Sequence, residues 1–279
     1  MTDQSEKAAA FREAHIPGEP LLMPNADSAG AARLLAAMGA RAIGSTSAGA
    51  AFMMGEGDGA RVERDRMLDH CEDLVRAVAI PVSGDLENGY AHDPDGVAET
   101  IELAAEVGLV GASIEDTTFE KGDPFYPFDI ALDRIRAAVE AAERQPFPFT
   151  LCARADGVMN GFYDVDEAIR RCEAFAEAGA HLVYAPLLPT LDDQARLIDT
   201  VGTVPVNVLV AGPRMIKHSR TDFAAIGAAR LSIGSALSRV AHRAMLEVGH
   251  QMLDEGDFTG LGRSVSGKEI DRLLAEGSG

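Results

Sequence analysis

Eight short apolar runs, at 20–24, 41–45, 80–85, 109–115, 148–154, 181–185, 204–210 and 229–233, recur along this chain of 279 residues, with helix-period segments between them. Strands separated by helices cannot pair as hairpins, because each crossover returns the chain to the end it started from. They form a parallel sheet. Eight such units in about 250 residues close on themselves more naturally than they fan out, so the expected fold is α/β, a (β/α)8 TIM barrel. The intervening helices are expected over Ala29–Met38, Ala98–Val107, Ile130–Ala142 and Asp166–Ala178, after a helical leader around Ser5–Ala14. Gly39, Gly108, Gly179 and Gly227 each follow a helix end, where glycine takes the left-handed conformation without a Cβ clash. A doubly wound open sheet is the alternative. It lacks its Gly-rich dinucleotide turn, since Asn25-Ala26-Asp27-Ser28-Ala29-Gly30 offers one glycine. Residues 1–279 are read as a single barrel domain whose C-terminal helical extension covers about 236–279.

Charge narrows the partners. With 25 Lys and Arg against 44 Asp and Glu, the net charge is −19, which disfavours nucleic acid and anionic lipid surfaces, both of which need clustered positive charge. The acidity is spread over helical segments and reads as solvation. Cys71, Cys152 and Cys172 have neither metal-ligand spacing nor an even-numbered framework, as expected of buried thiols in a reducing compartment. No run approaches eighteen apolar residues, and Met1–His15 carries no apolar signal core. A cytoplasmic protein acting on a small molecule is expected.

In a parallel barrel the chemistry sits at the C-terminal strand ends. Those ends carry Asn25 and Asp27; Ser45, Thr46 and Ser47, then Asp58 in a Gly-rich loop; Asp85 and Glu87; Glu115 and Asp116; Arg154 and Asp156; and Asn207. Carboxylates crowded in a partly buried mouth raise one another's pKa until some protonate, unless a cation intervenes. Oxygen donors suit a hard divalent cation such as Mg²⁺. Each residue also has a plainer explanation: Asp58 as a turn former, Arg154 paired with Asp156 or Glu115, Asn207 bonding neighbouring backbone. Ile233-Gly234-Ser235-Ala236 could grip phosphate but reads better as a helix start capped by Ser235.

The segments Pro24-Asn25-Ala26-Asp27, Ser45-Thr46-Ser47-Ala48-Gly49, Asp58, Asp85-Leu86-Glu87-Asn88-Gly89-Tyr90, Ile114-Glu115-Asp116 and Ala153-Arg154-Ala155-Asp156 together resemble the isocitrate lyase and phosphoenolpyruvate mutase superfamily, in order over nearly the whole chain. The resemblance implies an enzyme dependent on Mg²⁺ (or Mn²⁺) that acts on small α-keto or α-hydroxy carboxylates. It also implies a homo-oligomer, a dimer of dimers, whose eighth helix is exchanged between subunits. Carried over by position, Asp85 would ligate the metal and Asp58, Glu87 and Glu115 would hold its waters. Ser45, Ser47, Ala48 and Asn207 would bind substrate, and Arg154 would stabilise the enolate oxygen left when a bond next to a carbonyl breaks.

Two departures bear on the reaction. Relatives that cleave isocitrate or methylisocitrate carry Lys-[Arg/Lys]-Cys-Gly-His in a loop after the Glu-Asp pair, where the Cys serves as general acid. This chain has Thr117-Thr118-Phe119-Glu120-Lys121-Gly122-Asp123-Pro124, so Lys121 stands for the loop's catalytic cation and the Cys is missing. After strand six, those lyases place a Pro-Glu step where this chain reads Tyr184-Ala185-Pro186-Leu187-Leu188. The expected function is a lyase or decarboxylase of a small α-keto or α-hydroxy carboxylate. The alternatives are a phosphonopyruvate-type mutase or hydrolase, and an α-keto acid binding protein without catalysis.

Overall fold

The structure, a computed structural model, describes residues 3–59 and 61–279. Its parallel sheet runs Ile43–Ser45, Val82–Asp85, Gly111–Glu115, Thr150–Arg154, Leu182–Tyr184, Val206–Leu209 and Arg230–Ser232, each strand pairing with the next. The first strand closes the ring by splitting. Its leading half, Leu21–Leu22, pairs with the last strand, and its trailing half, Asn25–Ala26, pairs with the second. Pro24, between the halves, has no N–H to offer, and its carbonyl accepts from Gly44 while the Met23 N–H donates to Leu231. The result is an eight-stranded barrel without a free edge in the sheet.

Each strand starts one or two residues after its apolar run does. The leading residues, Ala42, Leu109, Val110 and Phe149 among them, are buried, and are apolar because they pack at the base of the barrel rather than because they pair. Helix Gln4–Glu13 closes that base: Phe11 packs with Leu21, Met23 and Val110, and the Gln4 amide donates to the carbonyls of Ala105 and Leu109. Outside the ring, helices including Arg64–Ala77, Pro94–Glu106, Phe128–Glu143 and Val165–Glu177 cover the strands with Leu74, Ile101, Ile135 and Phe175. Each large side chain buried there stabilises the fold by roughly 1.5–3 kcal/mol.

Residues directly across parallel strands face the same side of the sheet. Glu115, Arg154, Tyr184, Asn207 and Arg230 are successive register partners across five strands, so the barrel interior carries one polar row just below its mouth.

Two features depart from a plain barrel. Residues 117–125 form an antiparallel hairpin, Thr117–Glu120 against Asp123–Phe125, where the sequence reads as a loop. The alternating side chains and the left-handed Gly122 (φ 99°) make this possible. Helix Ala236–Glu255 buries only Ser238, leaving Val240, Met245, Leu246 and Leu253 exposed. Beyond it, helix Gly267–Glu276 returns to pack on helix Ala29–Ala37. No helix among the described residues is long and apolar enough to cross a membrane.

Candidate active site

A cavity of about 630 Å³ opens at the C-terminal ends of the strands. Arg154 organises one wall. Its Nη1 donates to Asp85 (2.6 Å), its Nη2 to Asp156 (2.6 Å) and its Nε to the other Asp156 oxygen (3.1 Å), while Glu115 stands 3.0 Å from Nη2. Asp156 thus grips the guanidinium with two bonds, the strong geometry for this pair. Burial works against the charge on Arg154, but Asp156, Glu115 and Asp85 outweigh it and hold the pKa well above its ordinary value. Burial pushes Glu115 well up and Asp156 up, with Arg154 opposing in both. Asp58 is raised by burial and then by the Asp85 charge.

The turn that follows the third strand aims Glu87 inward. Glu87 (φ 48°), Gly89 (φ 80°) and Tyr90 (φ 56°) are all left-handed, an arrangement that costs energy in non-glycine residues and persists only when the surroundings enforce it. Asn88 enforces it here: its Oδ1 accepts from the Tyr90 N–H, and its carbonyl accepts from buried Arg134. The Glu87 carbonyl accepts from the Glu115 N–H at 2.9 Å, which couples the two acidic strand ends. Asp116 turns away from the cavity. It accepts from the Asp156 N–H (2.8 Å), the Tyr163 hydroxyl (2.7 Å) and Arg171 Nη1 (2.9 Å), and so fixes the loop that carries Asp156.

Of the expected site residues, Ser45, Ser47, Ala48, Asp58, Asp85, Glu87, Glu115 and Arg154 all line this cavity. Ser47 does so with its N–H and hydroxyl both donating to Asp85 Oδ2 at 2.9 Å, so the expected carboxylate cradle holds a carboxylate of the chain itself. Ser45 Oγ accepts from the Asp85 N–H at 2.7 Å. Two residues stand elsewhere. Lys121 lies exposed at the hairpin turn, which points it to solvent, and the hairpin faces the cavity with Thr117, Phe119 and Glu120 instead. Asn207 is fully buried behind the wall, accepting from Arg230 Nε and donating to Ser232 Oγ, both at 2.8 Å. Ser235 precedes helix Ala236–Glu255 without making a side-chain cap bond, and the Ile233 and Gly234 N–H groups donate to Asn25 Oδ1.

Tyr184, Arg230 and Arg239 also line the cavity but do not stand out at the strand ends. Arg230 did leave a signal, as a lone cation inside the apolar run Ala228-Ala229-Arg230-Leu231.

The donor chemistry fits a hard divalent cation. Asp58, Asp85, Glu87, Glu115 and Asp156 share this cavity, Arg154 being the cation paired with three of them, and burial, with neighbouring carboxylates adding to it, raises the pKa values of Asp58 and Glu115. Among the described residues no three His, Cys, Asp or Glu side chains already stand as a closed metal-binding group, because Asp85, Glu115 and Asp156 are turned onto Arg154.

Comparison with known proteins follows the same lines. Residues 11–253 match the phosphoenolpyruvate phosphomutase family. A crystal structure from Burkholderia cenocepacia J2315, provisionally assigned as a lyase/mutase, superposes with a TM-score of 0.92 at 45% identity, covering 98% of this chain and 96% of that one. An uncharacterized protein of Mycobacterium tuberculosis is 31% identical over 269 residues, 96% of each chain. The 2-methylisocitrate lyase of Escherichia coli K12 is 29% identical over 204 residues, 71% of this chain and 67% of the lyase.

Proposed function

From the premise that this chain belongs to the phosphoenolpyruvate phosphomutase family, within the phosphoenolpyruvate mutase and isocitrate lyase superfamily, we propose that it is a Mg²⁺-dependent lyase or decarboxylase of a small α-keto or α-hydroxy carboxylate, working through an enolate. The observation that carries this reading is the three-carboxylate grip on Arg154 at the cavity wall. Asp85, Glu87, Glu115 and Asp58 would hold the metal. A bound Mg²⁺ polarises the substrate carbonyl and lowers the energy of negative charge developing on its oxygen.

The chain's own residues do the rest. Asp156 fixes Nε and Nη2 of Arg154, so only Nη1, now on Asp85, is free to turn to a substrate oxyanion. A fixed guanidinium aimed at developing charge contributes on the order of 10²–10³ in rate. Ser47 N–H and Oγ, released from Asp85, would bind the substrate carboxylate. None of the three cysteines lines the cavity, which supports a reaction without a thiol acid. Glu120 lines the cavity from the hairpin, the side from which a proton donor to the enolate carbon would approach.

The exposed apolar face of helix Ala236–Glu255 supports a homo-oligomer in which this helix packs on a second copy. Carbon–phosphorus chemistry is the second reading, favoured by the family match itself. Pyruvate release from methylisocitrate, oxaloacetate and phosphonopyruvate, assayed with Mg²⁺ and with excess chelator, tests the proposal. Release from either of the first two, lost with chelator, is expected. Release from phosphonopyruvate alone moves the assignment to the second reading, and turnover that survives chelation overturns the metal role.

A further inference from the structure

Two arginines of the polar row line the cavity, and their surroundings differ. Arg154 has three carboxylates, whereas Arg230, three strands further round, makes no ion pair among the described residues. Its Nε donates to Asn207 Oδ1, its Nη1 has no hydrogen-bond partner, and the residue is 3% exposed. A buried guanidinium without an anion is costly, and the cost is ordinarily met by pairing. Burial accordingly depresses the Arg230 pKa.

The surroundings hold this cation in place without neutralising it. Asn207 receives Nε and is itself anchored through Nδ2 to Ser232 Oγ, which fixes the plane of the guanidinium. Cys152 and Tyr184 stand nearby as neutral groups, since burial pushes both of their pKa values up. Arg154, the other near charge, has the same sign. A fixed, desolvated cation that shares a cavity with the proposed enolate site, and has no counter-charge of its own, is suited to an anion brought in by the ligand.

We propose that Arg230, oriented by Asn207, is a specificity-determining residue that receives a second acidic group of the substrate, a carboxylate or phosphonate remote from the carboxylate held at Ser47 and the oxyanion held at Arg154. This rests on the enolate reading of the site and narrows its substrate class to diacids. A substrate with one carboxylate leaves Arg230 unmatched, and a diacid fills both ends of the row.

The test compares ligands that differ only in the remote group. Oxalate, a planar two-carbon dianion, probes the enolate end; malate and 2-hydroxyglutarate carry a remote carboxylate, and lactate lacks one. Binding is measured by calorimetry with Mg²⁺ for the full chain and for Arg230→Met and Arg230→Gln, with thermal melts as a folding control. The Met variant is expected to melt no lower than wild type, because it removes an uncompensated buried charge. Wild type is expected to bind a 2-hydroxy diacid more tightly than lactate. In both variants diacid binding should weaken by ~30-fold or more, the effect of truncating one partner of a buried charge pair, while oxalate binding stays within about threefold.

Diacid binding unchanged in the variants, or lost in step with oxalate, overturns the role of Arg230 and leaves the enolate reading intact. Oxalate failing to bind wild type while a diacid binds in an Arg230-dependent way overturns the enolate reading and keeps the anion site. Binding of neither class to wild type overturns both. Variants that lose stability and all binding together would mark Arg230 as a packing residue and refute the proposal.

Discussion

Replacing Asp116 with Asn keeps the shape of the side chain and removes one charge-bearing acceptor oxygen. In the structure the carboxylate meets three donors: the Asp156 N–H, the Tyr163 hydroxyl and Arg171 Nη1. Oδ1 takes the Asp156 N–H and Oδ2 takes the other two, so an amide must turn its NH₂ onto one of these sets. Tyr163 can reverse its hydroxyl, but neither Arg171 nor the Asp156 N–H can accept, so in either flip a buried donor is left facing a donor. The Arg171 and Asp116 side chains are 3% and 2% exposed, and breaking a buried pair from one side costs roughly 3–5 kcal/mol. Arg171 keeps Glu167 (2.8 Å) and the Tyr126 carbonyl (3.0 Å), which places the cost near the lower end, about 3 kcal/mol. At roughly 2–4 °C per kcal/mol for a chain of this size, Asp116→Asn should melt about 6–12 °C below wild type.

Burial nevertheless raises the Asp116 pKa despite its partners, so the intact pair is no net gain over a well-packed apolar one. Asp116→Leu combined with Arg171→Met should therefore fall well short of the sum of the two single losses. A melt of Asp116→Asn within about 2 °C of wild type would refute the reasoning, as would strict additivity in the cycle. Because Asp116 also fixes the Asp156 N–H, activity should fall with stability.

Arg154→Lys should lower kcat/KM by on the order of 10³, since an ammonium cannot hold Asp156 at two points and still present a third donor; retention of more than a tenth of the activity would count against its role. Mg²⁺ should raise the melting temperature of wild type but not of Asp85→Ala, read by thermal shift across a metal titration, and equal stabilisation of both would remove Asp85 from the metal site. Gly157→Ala would set a Cβ about 2.1 Å from the Tyr163 ring and should displace that ring from Asp116, seen as loss of its near-ultraviolet dichroism; an unchanged signal contradicts this. Burial depresses His15 to about 3 and His181 to about 4, and the Leu151 N–H donates into His181 Nδ1, fixing its neutral form. Folded values lie below the unfolded 6.5, so the stability these residues contribute is full above pH 6.5 and drains as pH falls toward 4 and 3; at pH 5 the loss is about 2 kcal/mol per histidine. Denaturant midpoints for wild type and the double variant His15→Phe, His181→Gln should diverge between pH 7 and 5, and parallel curves would refute the assignment.

The barrel and most of the site were legible because both follow short-range rules. Apolar runs mark strands, and Asp85, Glu87, Glu115 and Arg154 sit where those runs end. What escaped depends on pairing. Lys121 and Glu120 are neighbours in sequence, and only the hairpin register decides that Glu120 faces the cavity while Lys121 faces water. Asn207 and Arg230 lie 23 residues apart, and their bond exists because the seventh and eighth strands place them in register. Ser47 and Asp85 were each legible as site residues, but the bond between them was not, since it spans 38 residues.

Asn25 ties the two ends of the sheet: its side chain accepts from the Ile233 and Gly234 N–H groups, 208 and 209 residues away, and donates to the Ser45 carbonyl. That seam sets an order of events during synthesis. The first strand leaves the ribosome with its leading half unpaired, and stays so until residue 234 has been made. At about 5–20 residues per second this is an interval on the order of ten seconds or more, during which an unclosed edge is open to wrong partners. Truncated products that stop short of the last strand would keep that edge permanently, and nascent chains would depend on chaperones until the eighth strand arrives.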